Sequence, residues 1–488
     1  RGLRASVVPC ILSRPMDPTR GWERRGAAVS RHLTAGPSGD AELTGAVLDT
    51  FHPTAHFRPD ALYDYITADS HELRARVFDF LKDPVFQPNS YLTIPEFREL
   101  TLQRLKLVCG QKFFSVADYT ADPLRFMAVL ECLAFCDYSL AIKGGVHFTL
   151  CGGTLNKLGT TKHHKAYFAG MDSLELPGCF GMTELGHGSN VMGIETTAEW
   201  DPESGGFVIH TPNDTASKFW IGGAAQHAKI CTVFAQLSVK GVYQGPHAFI
   251  VRLRDDHMRL IPGVRIEDNG AKMGLNGVDN GRIWFYHVHV PNDSLLDKFA
   301  QVSPDGAYWS SIPSVSARFG ATVGGLTTGR MLIAQAAVDA AKIGVTIAVR
   351  YGCSREQFGG RVIMDYPTHQ LRLLPGLSAV YALHLAMNHL KKVFVGGGDP
   401  KVIHVLSSGL KAACTWTRSD LLQHCRECCG GMGFLAANRI GTIKTDMDVD
   451  TTFEGDNTVL MQQVGKELLH GAAASAPHRP APPGPPRA

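Results

Sequence analysis

The spacing of apolar residues changes twice along the chain. Between about residues 60 and 170 apolar residues recur every three or four positions, which is typical of helices that bury one face. From Cys179 to about Pro291, short runs of β-branched and aromatic residues alternate with Asp, Asn, Gly and Pro turns, which predicts strands. From Ala300 to Leu469 the helical spacing returns. We therefore expect an α+β protein in the order α, β, α.

This pattern predicts three folded domains between two flanking segments. An N-terminal helical domain is followed by a β domain and a C-terminal helical domain, while an Arg-rich start and a Pro/Ala-rich tail with six Pro lie outside them. The tail cannot bury a core and is expected to be disordered. In chain order the predicted boundaries are 1–40, 41–177, 178–296, 297–470 and 471–488.

The first forty residues resemble a targeting segment more than a folded one. They contain seven Arg, no Lys and three acids. Within them, Arg25–Leu33 is similar to the N-terminal peroxisomal signal Arg-Leu-(five residues)-His-Leu, with Gly26 where Leu or Ile is usual. The segment therefore predicts a peroxisomal location. The alternative is an Arg-rich transit peptide for another organelle.

Composition excludes several classes of function. Forty-eight Lys and Arg against forty-five Asp and Glu give a net charge of +3, too balanced to indicate nucleic-acid binding. No apolar run approaches eighteen residues, so no membrane span is expected. The single C-x-x-C, Cys425 to Cys428, has no second pair, and no metal-binding spacing of His occurs, so no metal is predicted. Neither a G-x-G-x-x-G after a strand nor a P-loop is present.

Six motifs, taken together and in order, carry the functional information. In chain order they are Gly178–Asn190, Lys218–Gly223, Lys272–Gly281, Tyr351–Gly359, Cys425–Phe434 and Thr452–Val459. Together they closely resemble the FAD-dependent acyl-CoA oxidases, over roughly residues 60–469. Gly159–His164 and Gly274–Gly281 look most like the long-chain peroxisomal type of plants and algae. The resemblance implies an acyl-CoA dehydrogenase-like fold: N-terminal helices, a middle β-barrel or sandwich, and a C-terminal four-helix bundle.

The resemblance also implies a reaction, the α,β-desaturation of an acyl-CoA thioester to trans-2-enoyl-CoA. Glu454 is then the base that removes the Cα proton, and its pKa should rise where water is excluded. Its backbone N–H would bind the thioester oxygen together with a flavin hydroxyl. Gly455 is placed at the substrate, and Ser189 at the pantetheine arm. Some relatives carry the base at the position of Gly329, where glycine cannot serve.

The same resemblance assigns residues to FAD. Thr183 would hydrogen-bond the flavin ring, and the Gly222 N–H would lie near N5, where Gly in place of the dehydrogenases' Thr agrees with oxygen access. A further set would reach across a homodimer interface to the partner's FAD. The members of that set are Arg355, Gln357, Phe358, Gly430, Gly431 and Gly433.

Three residues around the base have two interpretations each. Asp456 and Asn457 would cap a helix and meet the adenylate part of FAD, or would cap the helix only. Arg330 occupies the position of an Arg that supports the active-site helix in a relative, but an ordinary exposed helix Arg is equally compatible with the sequence.

Three functions remain open from the sequence. The first is an oxidase that passes electrons to O₂ and releases H₂O₂, and the second is a dehydrogenase that uses an electron-transfer flavoprotein. The third is a non-catalytic acyl-CoA- or flavin-binding protein. Full-length family members carry a second C-terminal helical domain, whereas this sequence continues into the Pro/Ala tail at Gly471. A truncated gene model and a short paralogue would both explain this difference.

Overall fold

The structure is a computed structural model, and it describes residues 57–324 and 327–475. The similarity to a peroxisomal signal at Arg25–Leu33 lies outside the described residues. The last helix continues to Ser475, so residues 471–475 are helical where the sequence predicted the start of a disordered tail.

The N-terminal part consists of helices, several of which are capped by side chains at their first turns. Thr93 and Glu96 form a capping box at the start of one helix, and Asp122 and Asp137 cap two others. The helices are α1 Pro59–Thr67, α2 His71–Phe80, α3 Ile94–Gly110, α4 Asp118–Ala121, α5 Pro123–Cys136, α6 Tyr138–Gly144, α7 Gly153–Leu158 and α8 Thr161–Asp172.

A π-helix, Gly145–Gly152, joins α6 to α7 without a break. Its side chains are almost all apolar or small, and most of them are buried. π-Helical segments are rare and occur frequently at functional sites. This segment packs against the first strand of the middle region, Gly178–Gly181, and therefore connects the N-terminal helices to the sheet that contains this strand.

The middle region contains two sheets. The larger has the strand order β1-β5-β2-β3-β9, with β6 antiparallel to β5, and the smaller has the order β4-β8-β7. Their inward-facing side chains form a separate apolar core that includes Phe207, Phe249 and Phe285. The strands are β1 Gly178–Gly181, β2 Thr197–Asp201, β3 Gly206–His210, β4 Lys218–Gly222, β5 Ile230–Val239, β6 Val242–Arg252, β7 Val264–Asp268, β8 Asn280–Phe285 and β9 Val288–Val290.

A short β-hairpin precedes the first helix of the C-terminal part. Strands β10, Ala300–Val302, and β11, Tyr308–Ser310, pair with each other, so the next helix begins at Val315 instead of near Ala300. A second small hairpin, β12 Glu356–Gln357 with β13 Arg361–Val362, interrupts the helical region. Such short pairings have too few residues to show a period of two.

The C-terminal part is built around four long helices that pack on one another, α10, α11, α12 and α14. Together with the N-terminal helices they enclose the larger apolar core. This arrangement confirms the predicted fold class. The helices are α9 Val315–Val323, α10 Thr327–Ser354, α11 Pro367–Val395, α12 Pro400–Cys428, α13 Ile440–Asp446 and α14 Asn457–Ser475.

Helix α10 is, within the described residues, the one helix long and apolar enough to cross a membrane by length and composition. Most of it is buried inside the protein, against α12, α11 and α5. Core helices of globular proteins pass the same test, so its apolar character is explained by its central position.

Candidate active site

Glu454 lies in a tight turn immediately before α14. The turn is left-handed at two successive residues, with φ of +55° at Glu454 and +106° at Gly455. Positive φ is costly for a residue with a side chain and is found where the surroundings impose it. At Gly455 a Cβ would lie 2.8 Å from the Leu460 side chain, so glycine is required there by space as well as by conformation.

The Glu454 carboxylate packs against the first turn of α10. A Cβ added at Gly329 would lie 2.4 Å from Oε1 of Glu454, so the missing side chain at that position makes room for the carboxylate. Burial raises the pKa of Glu454 to about 7, although Arg330 and Lys411 act in the opposite direction. A carboxylate with a pKa near neutrality suits a general base.

Two cations from different helices bind the backbone of this turn. Arg330 on α10 donates from Nε to the carbonyl oxygen of Glu454 at 3.2 Å. Lys411 on α12 donates from Nζ to the carbonyl oxygen of Gly455 at 2.6 Å and to Oδ1 of Asn457 at 2.9 Å. Arg330 is therefore a supporting residue of the turn and not an ordinary exposed helix Arg.

Asp456 and Asn457 have different structural roles. Oδ1 of Asp456 accepts hydrogen bonds from the backbone N–H groups of Thr458 and Val459, at 3.0 and 3.1 Å, which is the N-cap of α14. Asn457 is buried, and its Nδ2 donates to Oγ1 of Thr415 at 2.9 Å. Asp456 therefore caps α14 and Asn457 ties α14 to α12, while the contact of both residues with the adenylate part of FAD stays a prediction.

Tyr119 faces the base from the N-terminal helices. It is buried near Thr328, and burial, followed by the charge of Glu454, raises its pKa. Its ring packs on Gly153, where a Cβ would lie 2.6 Å away, and Lys157 Nζ lies 5.5 Å from the ring centroid. The π-helix and α7 thus border the same region as the base.

Thr183 lies in the loop after β1, and its position is fixed by its neighbours. Its carbonyl oxygen accepts a hydrogen bond from Phe219 N–H at 3.0 Å. The adjacent Glu184 forms a fully buried ion pair with Lys218 at 2.9 Å. Further along this loop, Ser189 is exposed to solvent. The structure therefore joins the Thr183 loop to β4, which ends at Gly222.

Gly222 is buried where β4 meets the π-helix. A Cβ there would lie 3.1 Å from Val146 and 3.3 Å from Val278, tighter than ordinary van der Waals contact. The next N–H, of Gly223, donates to the Asp279 carbonyl oxygen at 2.7 Å. Val146 lies near the start of the π-helix and Gly153 directly follows its end, so Gly222 and Tyr119 contact the two ends of the π-helix.

Behind this loop lies a buried charge network. The Asp279 carboxylate accepts a hydrogen bond from Lys143 Nζ at 2.5 Å and contacts His227 Nδ1 at 3.0 Å. It also accepts the backbone N–H groups of Gln226 and His227. The network fixes the backbone that follows Gly222.

The remaining predicted residues lie elsewhere. Arg355, Gln357 and Phe358 are exposed around the β12–β13 hairpin, and Phe358 is 88% exposed. Gly430 and Gly431 are exposed at the end of α12, with no atom within 4 Å of an added Cβ, whereas Gly433 is buried. α10 runs from the base to this group, a distance of about 39 Å for the twenty-six residue steps from Gly329 to Arg355 at 1.5 Å each. One chain does not bring this group to Glu454.

A set of metal-ligand side chains occurs once within the described residues, at Glu184, His187 and Glu195. The Glu184 oxygens already accept hydrogen bonds from Lys218 and from Thr196. The Glu195 oxygens accept from Asn213 and Thr215 side chains, among others. These donors occupy the lone pairs that a metal would need, so the cluster is a hydrogen-bonded support of the Thr183 loop.

Sequence reasoning missed four residues of this site, namely Lys411, Lys218, Tyr119 and Thr328. Buried lysines interrupt an apolar pattern in the same way as exposed ones, so their role cannot be read from spacing. For Lys218 the one available signal is its place as the first residue of the motif Lys218–Gly223.

Comparison with known proteins is consistent with this geometry. Residues 323–469 match the family model "Acyl-CoA oxidase, C-alpha1 domain", and residues 179–288 match "Acyl-CoA dehydrogenase, middle domain". The chain is 47% identical over 393 residues to peroxisomal acyl-coenzyme A oxidase 3 of Arabidopsis thaliana, covering 78% of this chain and 58% of that protein.

Solved structures give the same result. Acyl-CoA oxidase 1 of Yarrowia lipolytica superposes with a TM-score of 0.81 at 30% identity, covering 89% of this chain and 67% of that one. Acyl-CoA oxidase-2 of Caenorhabditis elegans, solved with FAD, ascaroside-CoA and ATP, gives a TM-score of 0.77 at 26% identity, covering 91% and 69%. The chain spans about 58% of the length of the first curated relative. By these matches the chain belongs to the acyl-CoA oxidase family.

Proposed function

We propose that this chain is an FAD-dependent acyl-CoA oxidase that desaturates a long-chain acyl-CoA to trans-2-enoyl-CoA. The substrate loses a proton from Cα and a hydride from Cβ, and O₂ takes up two electrons and two protons to give H₂O₂. The observation that carries this proposal is the Glu454 carboxylate, half-enclosed against Gly329 with a pKa raised to about 7.

Glu454 acts in this proposal as the base at Cα. Its raised pKa leaves the ionised form available at neutral pH while giving the carboxylate a stronger affinity for a proton than an exposed Glu has. The left-handed turn at Glu454 and Gly455 directs the carboxylate toward α10. Arg330 and Lys411 hold the turn by its carbonyl groups, so the N–H of Glu454 is fixed and available for the thioester oxygen.

The residues around Gly222 and Thr183 fit a flavin. When bound, FAD supplies the hydride acceptor for Cβ and the group that reacts with oxygen. A side chain at Gly222 would fill the space beside Val146 and Val278, and the buried Glu184–Lys218 pair fixes Thr183 against the same strand. Thr183 would bind the flavin ring, Gly222 would present its N–H, and Ser189 would contact the pantetheine arm. The C. elegans relative was solved with FAD, ascaroside-CoA and ATP.

Homodimerisation would explain the exposed group at the far end of α10. Arg355, Gln357 and Phe358 lie about 39 Å from the base along that helix, which is too far to serve the same chain's flavin. A partner's FAD would place the Arg355 guanidinium near a pyrophosphate, where bidentate binding is favoured. The unobstructed backbone at Gly430 and Gly431 would let a dinucleotide approach closely.

Peroxisomal location is part of the proposal. The Arabidopsis relative carries the word peroxisomal in its name, and Arg25–Leu33 is similar to a peroxisomal signal. Expression of the chain with a fluorescent protein at its C-terminus, with and without residues 25–33, tests this assignment. Loss of peroxisomal fluorescence is expected on deletion.

The activity is tested by H₂O₂ release in air from purified protein supplied with FAD and palmitoyl-CoA. The parent should produce peroxide, and Glu454→Gln should lose at least about 10²- to 10⁴-fold of the rate, the range for removal of a general base. Glu203→Gln, at an exposed position of the β region, is the matched control.

Each other outcome has a defined meaning. Bleaching of the flavin without peroxide would favour a dehydrogenase that uses an electron-transfer flavoprotein. Folded protein that binds FAD but neither bleaches nor releases peroxide would favour a non-catalytic binding protein. Equal rates for the parent and Glu454→Gln would exclude Glu454 as the base.

A further inference from the structure

We propose that Lys411 is a positioning residue for Glu454, holding the turn that carries the base through the carbonyl of Gly455 and the side chain of Asn457. This inference rests on the proposed function, because it assigns Lys411 a role in the same proton transfer. Lys411 lies in the middle of α12, and its side chain is fully buried.

The turn needs stabilising hydrogen bonds from other elements because its backbone conformation is unfavourable. Glu454 has a positive φ of +55°, a conformation that is unfavourable for a residue with a side chain. Relaxation of Glu454 to an ordinary backbone conformation would swing the carboxylate away from Gly329. Hydrogen bonds to two consecutive carbonyl groups oppose this relaxation. Arg330 donates to the carbonyl oxygen of Glu454, and Lys411 donates to that of Gly455.

Lys411 also joins the turn to the helix that follows it. Its Nζ contacts Oδ1 of Asn457, the first residue of α14, while Nδ2 of the same Asn457 donates to Thr415, one turn further along α12. Lys411, Asn457 and Thr415 therefore fix the start of α14 on α12. A shift of the turn relative to α12 would break this set of bonds.

The charge of Lys411 is directed at the acids of the turn. Its hydrogen bonds go to neutral oxygens, and no carboxylate lies within 4 Å of Nζ in the described part of the chain. The acids that face it are Asp450, Glu454 and Asp456, and Arg330 is the facing cation. Asp450 is engaged by Tyr138 at 2.6 Å and Arg418 at 3.3 Å. The Lys411 ammonium therefore acts on Glu454 together with Asp450 and Asp456, and it stabilises the ionised form of Glu454.

Loss of the ammonium should therefore raise the pKa of Glu454. Around the carboxylate the charged groups are Arg330 and Lys411, which lower the pKa, while Tyr119 is the neighbouring neutral phenol. Removal of one nearby opposite charge moves a carboxyl pKa by about one unit or more. Since the base must be ionised, the pH at which the reaction reaches half its limiting rate should increase.

The test measures anaerobic bleaching of enzyme-bound flavin by palmitoyl-CoA between pH 6 and 9.5. Lys411→Met, which keeps most of the stem, should shift the midpoint upward by about one pH unit and lower the limiting rate about 10- to 100-fold through misplacement of the base. Lys411→Arg should keep the parent midpoint. Lys401→Met, at an exposed position of the same helix, is the control and should match the parent.

A variant that retains a hydrogen-bond donor guards against loss of folding. If Lys411→Met is insoluble, Lys411→Gln removes the charge but can still donate to Gly455, and its midpoint should still move upward. A second readout needs neither flavin nor turnover: the infrared band of the protonated Glu454 carboxyl, identified by its absence in Glu454→Gln, should persist to higher pH in both uncharged variants.

Failure of this inference is distinguishable from failure of the proposed function. If Glu454→Gln bleaches flavin at the parent rate, the proposed base is wrong whatever Lys411 does. If Glu454→Gln is inactive while Lys411→Met and Lys411→Gln keep the parent midpoint and limiting rate, the role assigned to Lys411 is overturned and the proposed function stands.

Discussion

Lys218 and Glu184 form an ion pair of 2.9 Å in which both side chains are completely buried. Glu184 follows Thr183 directly, and Lys218 begins the strand that ends at Gly222. Lys218 Nζ also donates to the carbonyl oxygen of Phe234 at 2.7 Å. One ammonium thus links the Thr183 loop and β4 to strand β5 of the larger sheet. Thr183 and Gly222, the two residues predicted to face a flavin, are thus positioned by this ion pair, which is shielded from solvent.

Removal of one partner of this pair should therefore affect both stability and flavin binding. Lys218→Met leaves a buried carboxylate without its cation, which costs roughly 3–5 kcal/mol in free energy of unfolding. The urea midpoint should fall, and FAD affinity, followed by flavin fluorescence, should fall with it. The double variant Lys218→Met/Glu184→Leu should recover part of the stability. A single variant as stable as the parent would contradict this account.

Much of the fold was predictable because its elements have long, regular patterns. Helices such as α10 and α12 repeat apolar residues over many turns, and β5 and β6 are long β-rich runs, so the α, β, α order followed from spacing. The hairpin of β10 and β11 was missed because three-residue strands carry too little pattern.

The site was predictable only where a motif carries it. Glu454, Thr183 and Gly222 lie in motifs, and the structure gives each a constrained backbone or a close contact. Lys411 could not be found, because its partners are distant in sequence. Lys218 begins one of the six motifs, but its ion pair with Glu184 could not be read from the sequence. For Arg330 the sequence left two interpretations open, and the contact with the Glu454 carbonyl decided between them.

A second buried charge cluster predicts sensitivity to acid. Glu131 on α5 contacts Arg74 at 2.6 Å and Lys391 of α11 at 2.5 Å, and these cations lower its pKa to about 2 despite burial. Because the folded-state pKa is depressed, this stabilisation is fully present above the unfolded value near 4.5 and is lost as the pH falls toward 2.

Glu131→Gln should accordingly destabilise the protein at neutral pH and do so less in acid. The loss at pH 7 is expected to be at most roughly 3–5 kcal/mol, because Arg74 and Lys391 lose the buried carboxylate they share and keep only Asp69, at 2.8 and 3.7 Å. Urea unfolding at pH 7 and pH 4, followed by circular dichroism, measures the difference. The exposed Glu72→Gln on α2 serves as the control, and an equal deficit at both pH values would argue against the assignment.

Ionisation of Glu454, the proposed base, should lower the free energy of unfolding as the pH rises, which is the opposite of the effect of Glu131. The folded-state pKa of Glu454 is raised from 4.5 to about 7, so the folded protein binds more protons than the unfolded chain between these values. Stability from this group is therefore present at low pH and is lost as the pH rises through 7. An increase of this size corresponds to roughly 3 kcal/mol, which is an upper limit for the half-enclosed side chain.

Glu454→Gln should consequently melt at a higher temperature than the parent at pH 8, and the difference should shrink toward pH 5. Differential scanning calorimetry without substrate at both pH values tests this expectation. Glu203→Gln should show no such pH-dependent gain. If Glu454→Gln melts below the parent at pH 8, the carboxylate stabilises the fold and its burial is not the cause of the raised pKa.

A substitution at Gly222 tests whether O₂ or an electron-transfer flavoprotein is the electron acceptor. An added Cβ would lie 3.1 Å from Val146 and 3.3 Å from Val278, so Gly222→Ala requires these side chains to move by only a few tenths of an ångström. The fold should survive at a cost of about 1–3 kcal/mol. Under the proposed function the methyl group narrows the space through which oxygen reaches the reduced flavin.

Stopped-flow absorbance can measure the two half-reactions of Gly222→Ala separately. Anaerobic bleaching by palmitoyl-CoA should stay close to the parent rate, while re-oxidation of the reduced enzyme by dissolved oxygen should slow several-fold. Gly441→Ala, on α13 with no atom within 4 Å of the new Cβ, should leave both rates unchanged. Equal slowing of both half-reactions would indicate a displaced flavin, and unchanged re-oxidation would show that oxygen does not approach past Gly222.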